Sequence, residues 1–228
     1  MTLTVHKDLI QGSDEWHAVR RGIVTASTVG QLITAKTVKP ASNDYSRALT
    51  LTLVAERITG WTEPTFMSNA MMRGVMDEPI ARDAYSRHTG QRVEEVGFMV
   101  RDDWGFELGY SPDGLVGDDG LIEIKSREPK KQLATILADE VPLENMAQIQ
   151  AGLLVSGRAW CDYVSFAGGM PLYVKRVDPN EWWFDAILTA VGRFEDTAAE
   201  MVATYRAAID GLPMTDRIDH FQDVELKL

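Results

Sequence analysis

The chain has 228 residues, of which 45% are hydrophobic, enough to bury the core of one compact domain with small additions. The single cysteine, Cys161, excludes an intramolecular disulfide, and no apolar run approaches the roughly 18 residues of a membrane-spanning helix. Residues 1–11 contain no long apolar stretch, so we expect no signal peptide, no membrane partner and a cytoplasmic location. A net charge of −11 argues at first against a nucleic-acid partner.

The acidic balance is unevenly distributed along the chain. The segment 178–228 holds eleven acidic and four basic residues, a net charge of −7, whereas the segment 17–43 holds four basic residues and no acidic one. A second basic cluster comprises Lys125, Arg127, Lys130 and Lys131. A locally basic groove on an acidic protein is sufficient to attract a polyanion. The competing interpretation is a set of solvated surface charges, the usual fate of charge runs.

Helical patterns occupy the first ninety residues and return towards the end of the chain. Apolar spacing and terminal residues predict helices after an N-cap at Ser13, from Thr25 to Ile33, and over 46–59, 68–89, 143–156 and 180–209, with stops at Gly60, Gly90 and Gly157. The stretch 34–45 is rich in turn formers and is expected to be a loop. Pro79, inside the fourth of these helices, is expected to kink or break it.

The middle of the chain favours β-strands. The predicted strands cover 93–100, 107–110, 121–125, 159–166 and 172–177, and Asp118-Asp119-Gly120 is a hairpin turn signal. This order of elements predicts a mixed α/β or α+β fold with a central mixed sheet flanked by helices. No repeat or linker divides the chain, so we expect a single domain over residues 1–228.

The segment with the clearest chemistry runs from Ser111 to Lys125. Strand side chains alternate between faces, so Glu123 and Lys125 share one side, and the predicted hairpin brings Asp113 towards them. Two carboxylates offer the hard oxygen ligands that Mg²⁺ prefers, and a bound Mg²⁺ polarises a phosphate and acidifies water. A lysine beside the metal can hold or help deprotonate that water, because a nearby cation depresses an ammonium pKa. The competing interpretation is a surface hairpin with an ion pair between Glu123 and Lys125.

Three further polar residues in predicted helices are candidates for the same site. Glu78 could add a third carboxylate, although an exposed helical acid is the commoner fate of a lone glutamate. Gln148 and Gln150 interrupt an otherwise apolar helix, and a glutamine that faces a core usually has a hydrogen-bonding role. The alternative is that one of the two simply faces solvent.

These residues belong to a series of blocks that resembles the lambda exonuclease family, also called the YqaJ viral recombinase family. The blocks, in the order and spacing of the family, are Gln11-Gly12-x-Asp14-x-Trp16-His17, Arg20-x-Gly22-x-x-Thr25-Ala26-Ser27, Gly74-x-x-x-Glu78, Ser111-Pro112-Asp113-Gly114-Leu115, Leu121-Ile-Glu-Ile-Lys125 and Met146-Ala147-Gln148-Ile149-Gln150. The resemblance implies a restriction-endonuclease-like PD-(D/E)xK core. Its motif-bearing part covers residues 11–157, and residues 158–228 would supply a strand pair and the C-terminal helix.

The resemblance also implies a catalytic set. Asp113, Glu123 and the main-chain carbonyl of Ile124 would bind the catalytic Mg²⁺, for which Mn²⁺ is an expected substitute. Lys125 would position the attacking water. The residues implied to support the water and the metal shell are Glu78 and Gln148.

A second set of implied residues would contact DNA. Arg20, Ser27 and Ser111 would form a pocket for the 5′-phosphate of a DNA end. The other implied contacts are Met71, as a wedge that splits terminal base pairs, and Lys36 and Lys39, which would line the DNA groove in place of an arginine.

At the level of the whole protein, the resemblance implies a magnesium-dependent exonuclease that digests one strand of a DNA duplex from 5′ to 3′ and leaves a 3′ single strand. It also implies a ring-shaped homotrimer and a single-strand annealing protein as partner in recombination. Two alternatives remain at this stage. One is a PD-(D/E)xK endonuclease of the restriction or repair type, and the other is a non-catalytic DNA-binding module.

Overall fold

The computed structural model describes residues 2–64 and 67–218. Within them the helices are α1 Asp14–Arg20, α2 Ala26–Val29, α3 Asp44–Thr59, α4 Asn69–Thr89, α5 Pro129–Ala138, α6 Leu143–Ser156 and α7 Glu181–Ala208. The strands are β1 Leu3–His6, β2 Val24–Thr25, β3 Ile33–Thr34, β4 Lys39–Pro40, β5 Val93–Glu94, β6 Phe98–Arg101, β7 Leu108–Tyr110, β8 Gly114–Val116, β9 Gly120–Ser126, β10 Trp160–Phe166 and β11 Tyr173–Val177. The last ten residues of the acidic segment 178–228 lie outside the described residues.

A five-stranded mixed sheet forms the centre, in the order β11-β10-β9-β8-β5. Its middle strands β9 and β10 run parallel, while β8 pairs antiparallel with β9 through the predicted hairpin. A second, four-stranded sheet has the order β1-β6-β7-β2, and β3 pairs with β4. The predicted fold class, a mixed α/β arrangement with a central sheet flanked by helices, is confirmed. The single-domain organisation stays a prediction.

The two faces of β9 pack against different helices. Ile122 and Ile124 lie in a small apolar cluster with Ala81 and Tyr85 of α4. On the opposite face, Leu121 belongs to the large core that α6 and α7 share with both sheets. Because successive strand residues alternate, the odd-numbered positions of β9 point towards α6. This arrangement places the predicted functional side chains of β9 between the sheet and α6.

Local signals explain where most helices begin and end. The side chains of Ser13, Asn43, Ser68 and Asn180 each accept a hydrogen bond from a backbone N–H of the first turn that follows. Gly60, Gly90 and Gly157 end α3, α4 and α6 in the left-handed conformation, at φ of 63°, 71° and 71°. These three predicted stops are therefore confirmed.

Two predictions in the first third of the chain are met only in part. The predicted helix from Thr25 to Ile33 contains only α2 and a 3₁₀ turn at Gly30–Leu32, since β2 and β3 occupy its ends. Pairing of Thr25 with β7 favours the extended conformation there over helix. The predicted loop 34–45 contains the short β3–β4 hairpin and the beginning of α3, which Asn43 caps.

Two further predictions are also met only in part, for different reasons. The predicted strand 93–100 divides between the two sheets as β5 and β6. The bend falls at Gly97, where a Cβ would lie 2.0 Å from the carbonyl oxygen of Leu9, so the chain turns where another segment crosses it. Of the kink or break predicted at Pro79, the break is absent, because α4 continues through this residue, and the kink stays a prediction. Pro79 lies on the exposed side, where water can satisfy the carbonyl that it leaves without a donor.

Candidate active site

The β8–β9 hairpin opens where the candidate carboxylates lie. Pairing of the two strands ends at Gly114 opposite Ile122. Beyond that pair, the backbone N–H of Ile124 donates to Oδ2 of Asp113 at 2.6 Å. The carboxylate thus replaces the strand carbonyl that a continued ladder would provide. The expectation that the hairpin brings Asp113 to β9 is met, with Asp113 immediately before β8.

Glu123 and Lys125 form an ion pair on the side of β9 that faces α6. The Nζ of Lys125 donates to Oε1 of Glu123 at 2.7 Å and to Oε1 of Gln148 at 3.0 Å. Glu123 is 0% exposed, and among the described residues its buried Oε2 has no hydrogen-bond partner, although the buried phenol of Tyr110 lies close enough for the charge of Glu123 to raise the pKa of that phenol. The alternative of a surface ion pair is therefore wrong. A buried carboxylate oxygen without a donor is costly unless a cation or water satisfies it.

Glu78 reaches this region from α4. Its Oε1 accepts from Arg82 at 2.5 Å, and Nε of Arg82 donates to the main-chain carbonyl of Asp113 at 3.0 Å. Arg82 also forms an ion pair with Glu95 at 2.9 Å. Glu78 is therefore half-buried and paired rather than an exposed helical acid. Sequence reasoning missed Arg82, although its position four residues after Glu78 is the spacing of a helical ion pair.

The acidic groups perturb one another. Burial raises the pKa of Glu123 to about 7, an effect that Lys125 opposes and the charge of Asp113 reinforces. Burial, followed by the charge of Asp113, likewise raises the pKa of Glu78 to about 7, and burial raises that of Asp113. Burial favours a lower pKa for Lys125, but Glu123 and Asp113 outweigh it and raise that pKa. Lys125 is therefore an ammonium donor in the metal-free site, and the lower pKa expected for it beside a bound metal stays a prediction.

Both candidate glutamines of α6 form side-chain hydrogen bonds with other parts of the protein. Gln148 is half-buried against Lys125, whereas Gln150 is buried. The amide of Gln150 donates to the carbonyl of Asp178 at 2.9 Å and accepts from the N–H of Asn180 at 2.9 Å. The alternative that one glutamine faces solvent is wrong. Gln148 orients the site lysine, while Gln150 fixes the chain that leads into α7.

A second polar centre lies on α1 and the segment before β8. The guanidinium of Arg20 donates to Oγ of Ser111 at 2.9 Å and lies 3.8 Å from the ring centroid of Trp16. The indole of Trp16 donates to the same Oγ at 3.1 Å. Burial lowers the pKa of Arg20 to about 10, with Glu56 opposing the shift. Among the described residues Arg20 forms no ion pair, so the site holds a partly desolvated cation without a counterion.

Ser27 is less closely integrated into this centre. Because β2 and β7 run parallel with Thr25 opposite Gly109, Ser27 and Ser111 leave the sheet at the same end. The side chain of Ser27 forms a hydrogen bond with the hydroxyl of Thr25 at 3.1 Å, and within the described residues no hydrogen bond joins it to Arg20 or Ser111. The four-residue α2 is also too short to supply the helix-terminal field expected for an anion. Sequence reasoning gave Trp16 no role, although its spacing from Arg20 is helical.

The remaining predicted contacts are exposed and lie apart from the carboxylates in sequence. Met71 is 49% exposed on the first turn of α4. Lys36 and Lys39 are exposed on the β3–β4 hairpin, in which Thr34 pairs with Lys39. Their positions leave them accessible to a large ligand, and their roles stay predictions.

The donor set at the carboxylates fits a small divalent cation. Within residues 2–64 and 67–218, no group of three or more histidine, cysteine, aspartate or glutamate side chains is arranged to hold a metal by itself. Two carboxylates and main-chain oxygen would suit Mg²⁺, which keeps several of its waters in protein sites. The unpartnered Oε2 of Glu123 is the observation that favours such an ion.

Within the described residues, none of the helices combines the length and the hydrophobicity of a membrane-spanning segment.

Comparison with known proteins places this geometry in a family. Residues 15–159 match the YqaJ-like viral recombinase domain. The structure is similar to that of an alkaline exonuclease from Laribacter hongkongensis, with a TM-score of 0.77 and 33% identity over 87% of this chain and 99% of that chain. The structure of that exonuclease in complex with dAMP is equally similar.

A more distant structure shares the fold. A phage-related exonuclease from Haemophilus somnus 129PT has a TM-score of 0.61 and 11% identity over 80% of this chain and 96% of that chain. No curated protein sequence matches the chain significantly. The resemblance inferred from the sequence blocks is confirmed, together with the fold class that it implies.

Proposed function

The chain belongs to the YqaJ-like viral recombinase domain family, and we propose that it is a magnesium-dependent exonuclease that digests double-stranded DNA from its ends. The observation that carries the proposal is the buried Glu123 carboxylate beside Asp113, with one oxygen held by Lys125 and the other without a hydrogen-bond donor among the described residues. An exonuclease with 33% identity supports the same activity class.

The proposed metal ligands are Asp113, Glu123 and the main-chain carbonyl of Ile124. In an extended strand the N–H and C=O of one residue point to the same side. Since the N–H of Ile124 points to Asp113, its carbonyl is directed into the same opening. When bound, Mg²⁺ would polarise the scissile phosphodiester and lower the pKa of a water. We expect Mn²⁺ to substitute for it.

The other residues of the site position the reactants. Lys125 presents a fixed ammonium, held by Glu123 and Gln148, that would bind and orient the attacking water. The Glu78 carboxylate offers an acceptor for a proton of that water on the α4 side. Arg82 fixes Glu78 relative to Asp113. The residues thus supply orientation and charge, and the chemistry needs no covalent intermediate on the protein.

The polar centre around Arg20 is proposed to determine the direction in which the DNA strand is digested. A terminal 5′-phosphate carries more charge than an internal diester, and an unpaired guanidinium beside a serine hydroxyl matches it. We propose that Arg20 and Ser111, with Ser27 at the rim, bind the 5′-phosphate. This contact would draw the 5′-ended strand to the carboxylates, so digestion would proceed from 5′ to 3′ and leave a 3′ single strand.

Assembly and partners follow the family expectation. We propose a homotrimeric ring around the DNA, with Met71 as the wedge at the duplex end and Lys36 and Lys39 along the groove. A single-strand annealing protein would take up the 3′ strand for recombination. Sedimentation should give a trimer, whereas a strict monomer that digests long duplexes without dissociating would refute the ring.

The direct test uses linear duplex DNA labelled at either 5′ or 3′ end, incubated with Mg²⁺ and then with chelator. The proposal predicts stepwise loss of the 5′ label only in Mg²⁺, with the same DNA resistant when circular. Cleavage of circular duplex would favour the endonuclease alternative. Tight binding of DNA ends without any metal-dependent cleavage would favour a non-catalytic binding module.

A further inference from the structure

A half-buried arginine on α4 is held in place beside the end of β9. The Nε of Arg73 donates to Oγ of Ser126 at 3.1 Å. The hydroxyl of Ser126 in turn donates to Oδ2 of Asp77 at 2.6 Å. Because the Ser126 hydroxyl donates its proton to Asp77, a lone pair of its oxygen is left to accept the hydrogen bond from Arg73. The guanidinium is therefore oriented through Nε, and its two terminal nitrogens remain for another partner.

Like Arg20, Arg73 forms no ion pair within the described residues, whereas several other arginines of the fold do. Arg57, Arg82, Arg101 and Arg127 each form an ion pair with a carboxylate. For Arg73 the described part of the chain provides no carboxylate oxygen within 4.0 Å, not even from Asp77 one helical turn away. Its two terminal nitrogens make no hydrogen bond within the described residues and are not fully buried. An oriented, accessible guanidinium without a counterion is suited to bind an anion.

The position of Arg73 relates it to the candidate active site. Ser126 directly follows Lys125 on β9 but, by the alternation of strand side chains, faces α4, from which Glu78 approaches the site five residues after Arg73. Arg73 is thus anchored to a different pair of elements from Arg20, which is fixed on α1 and Ser111. The first turns of α4 also expose Met71 and Met72, so this helix presents apolar and cationic groups together. Such a surface fits nucleic acid better than a small anion.

We propose that Arg73 binds an internal backbone phosphate of the DNA held at the site, oriented for this by Ser126 and Asp77. The inference rests on the proposed function and extends it by a second phosphate contact, separate from the one that recognises the 5′ end. An internal contact carries no information about the end. It would raise affinity for every DNA end equally and keep the duplex attached between successive cleavages.

The experiment measures binding of a fluorescent blunt duplex by anisotropy in chelator, over a range of salt concentrations. We expect Arg73→Ala to bind about tenfold more weakly than wild type. The slope of log affinity against log salt should fall by roughly 0.9, the value for one phosphate contact. Digestion in Mg²⁺ should remove fewer nucleotides per binding event, with an unchanged ratio of rates on 5′-phosphorylated and 5′-hydroxyl ends.

Three variants separate this role from a structural one. Arg87→Ala removes an equal charge from the exposed last turn of α4 and should match wild type in affinity and salt slope. Arg73→Lys should restore the slope but only part of the affinity, because the lysine lacks the bond to Ser126. Ser126→Ala keeps the charge and should weaken binding by a factor of about two to three, which still tests the proposal if Arg73→Ala does not fold.

The outcomes distinguish a failure of the proposed nuclease function from a failure of the proposed role of Arg73. If the wild type neither binds nor digests duplex DNA, the proposed function fails. If the wild type does both and Arg73→Ala keeps its affinity and salt slope, only the role of Arg73 is overturned. A lower melting temperature of Arg73→Ala with unchanged DNA affinity would also overturn it, since the arginine would then merely tie α4 to β9.

Discussion

The carboxylate of Asp113 accepts the backbone N–H of Ile124 at 2.6 Å, so a candidate metal ligand also completes the hydrogen bonding of the strand that carries the other ligand. This contact fixes Asp113 before any ion arrives. It also means that truncation of Asp113 would combine two effects, the loss of a ligand and an unsatisfied strand N–H. An isosteric amide is therefore the better probe, because its carbonyl oxygen can still accept the bond.

Asp113→Asn should lose activity without losing the fold. The amide keeps the acceptor for Ile124 but removes the charge that a divalent ion needs, so we expect the rate in Mg²⁺ to fall at least about 100-fold. The melting temperature in chelator should not decrease. Asp118→Asn, at the exposed turn of the same hairpin, is the matched control and should retain full activity. Near wild-type cleavage by Asp113→Asn would disprove the assignment.

Lys125→Ala should separate metal binding from catalysis. The ammonium is not a ligand, so calorimetry should still detect Mg²⁺ binding while cleavage stops. The variant leaves the buried Glu123 without its ion-pair partner, so its melting temperature in chelator should fall. Added Mg²⁺ should recover part of this loss, since it supplies the missing positive charge. Loss of Mg²⁺ binding in the variant would contradict the proposed role of the lysine.

The raised pKa of Glu78 predicts a pH-dependent cost in the metal-free protein. Its pKa is about 7 in the fold against an ordinary 4.5, chiefly through burial and then the charge of Asp113. Between these values the unfolded chain releases the proton first, so the stability of the fold decreases as pH rises and stays lower above pH 7. Glu78→Gln removes this cost. Its melting temperature should equal that of the wild type near pH 4.5 and exceed it near pH 8.

Thermal melts in chelator at the two pH values provide the measurement. The shift already includes the attraction of Arg82, so the sign does not depend on that ion pair. The difference at pH 8 should shrink or reverse in Mg²⁺, because the ion stabilises the charged wild-type carboxylates. A difference that is the same at both pH values would show that Glu78 has no raised pKa.

The sequence predicted the central residues of the candidate site better than the residues and packing contacts that position them. Alternation along β9 places Glu123 and Lys125 on one face, and the hairpin signal brings Asp113 across from them, since both are local properties. The spacing of Arg82 from Glu78 indicates only their ion pair, because the bond from Arg82 to the Asp113 carbonyl depends on how α4 packs against the sheet. The buried state of Glu123 also depends on α6, whose contact with β9 joins segments far apart in the chain.

The same distinction between local and long-range effects explains which parts of the fold were predicted incorrectly from the sequence. Helix ends with a capping side chain or a left-handed glycine were predicted correctly, because each depends on a few neighbouring residues. The strand β1 was not predicted, since its pairing with β6 joins residues almost a hundred positions apart and its side chains are largely exposed. The helix α5 was overlooked because its first residues appeared as a basic cluster. In the structure, the buried side-chain amide of Gln132 attaches α5 to the sheet by donating to the carbonyls of Ser165 and Pro171.

Arg20 should determine the preference for a phosphorylated 5′ end. One charge-assisted contact is worth roughly 1.5–3 kcal/mol, so Arg20→Ala should lose about 10- to 100-fold of the preference for 5′-phosphate over 5′-hydroxyl duplex. Slow cleavage should persist, because the carboxylates are untouched. Ser111→Ala removes the hydroxyl that both Arg20 and Trp16 hold and should reduce the preference more than Ser27→Ala does. The measurement compares digestion rates of the two ends for each variant, with Arg92→Ala as an exposed-charge control. If the wild type digests both ends equally fast, Arg20 does not bind the 5′-phosphate.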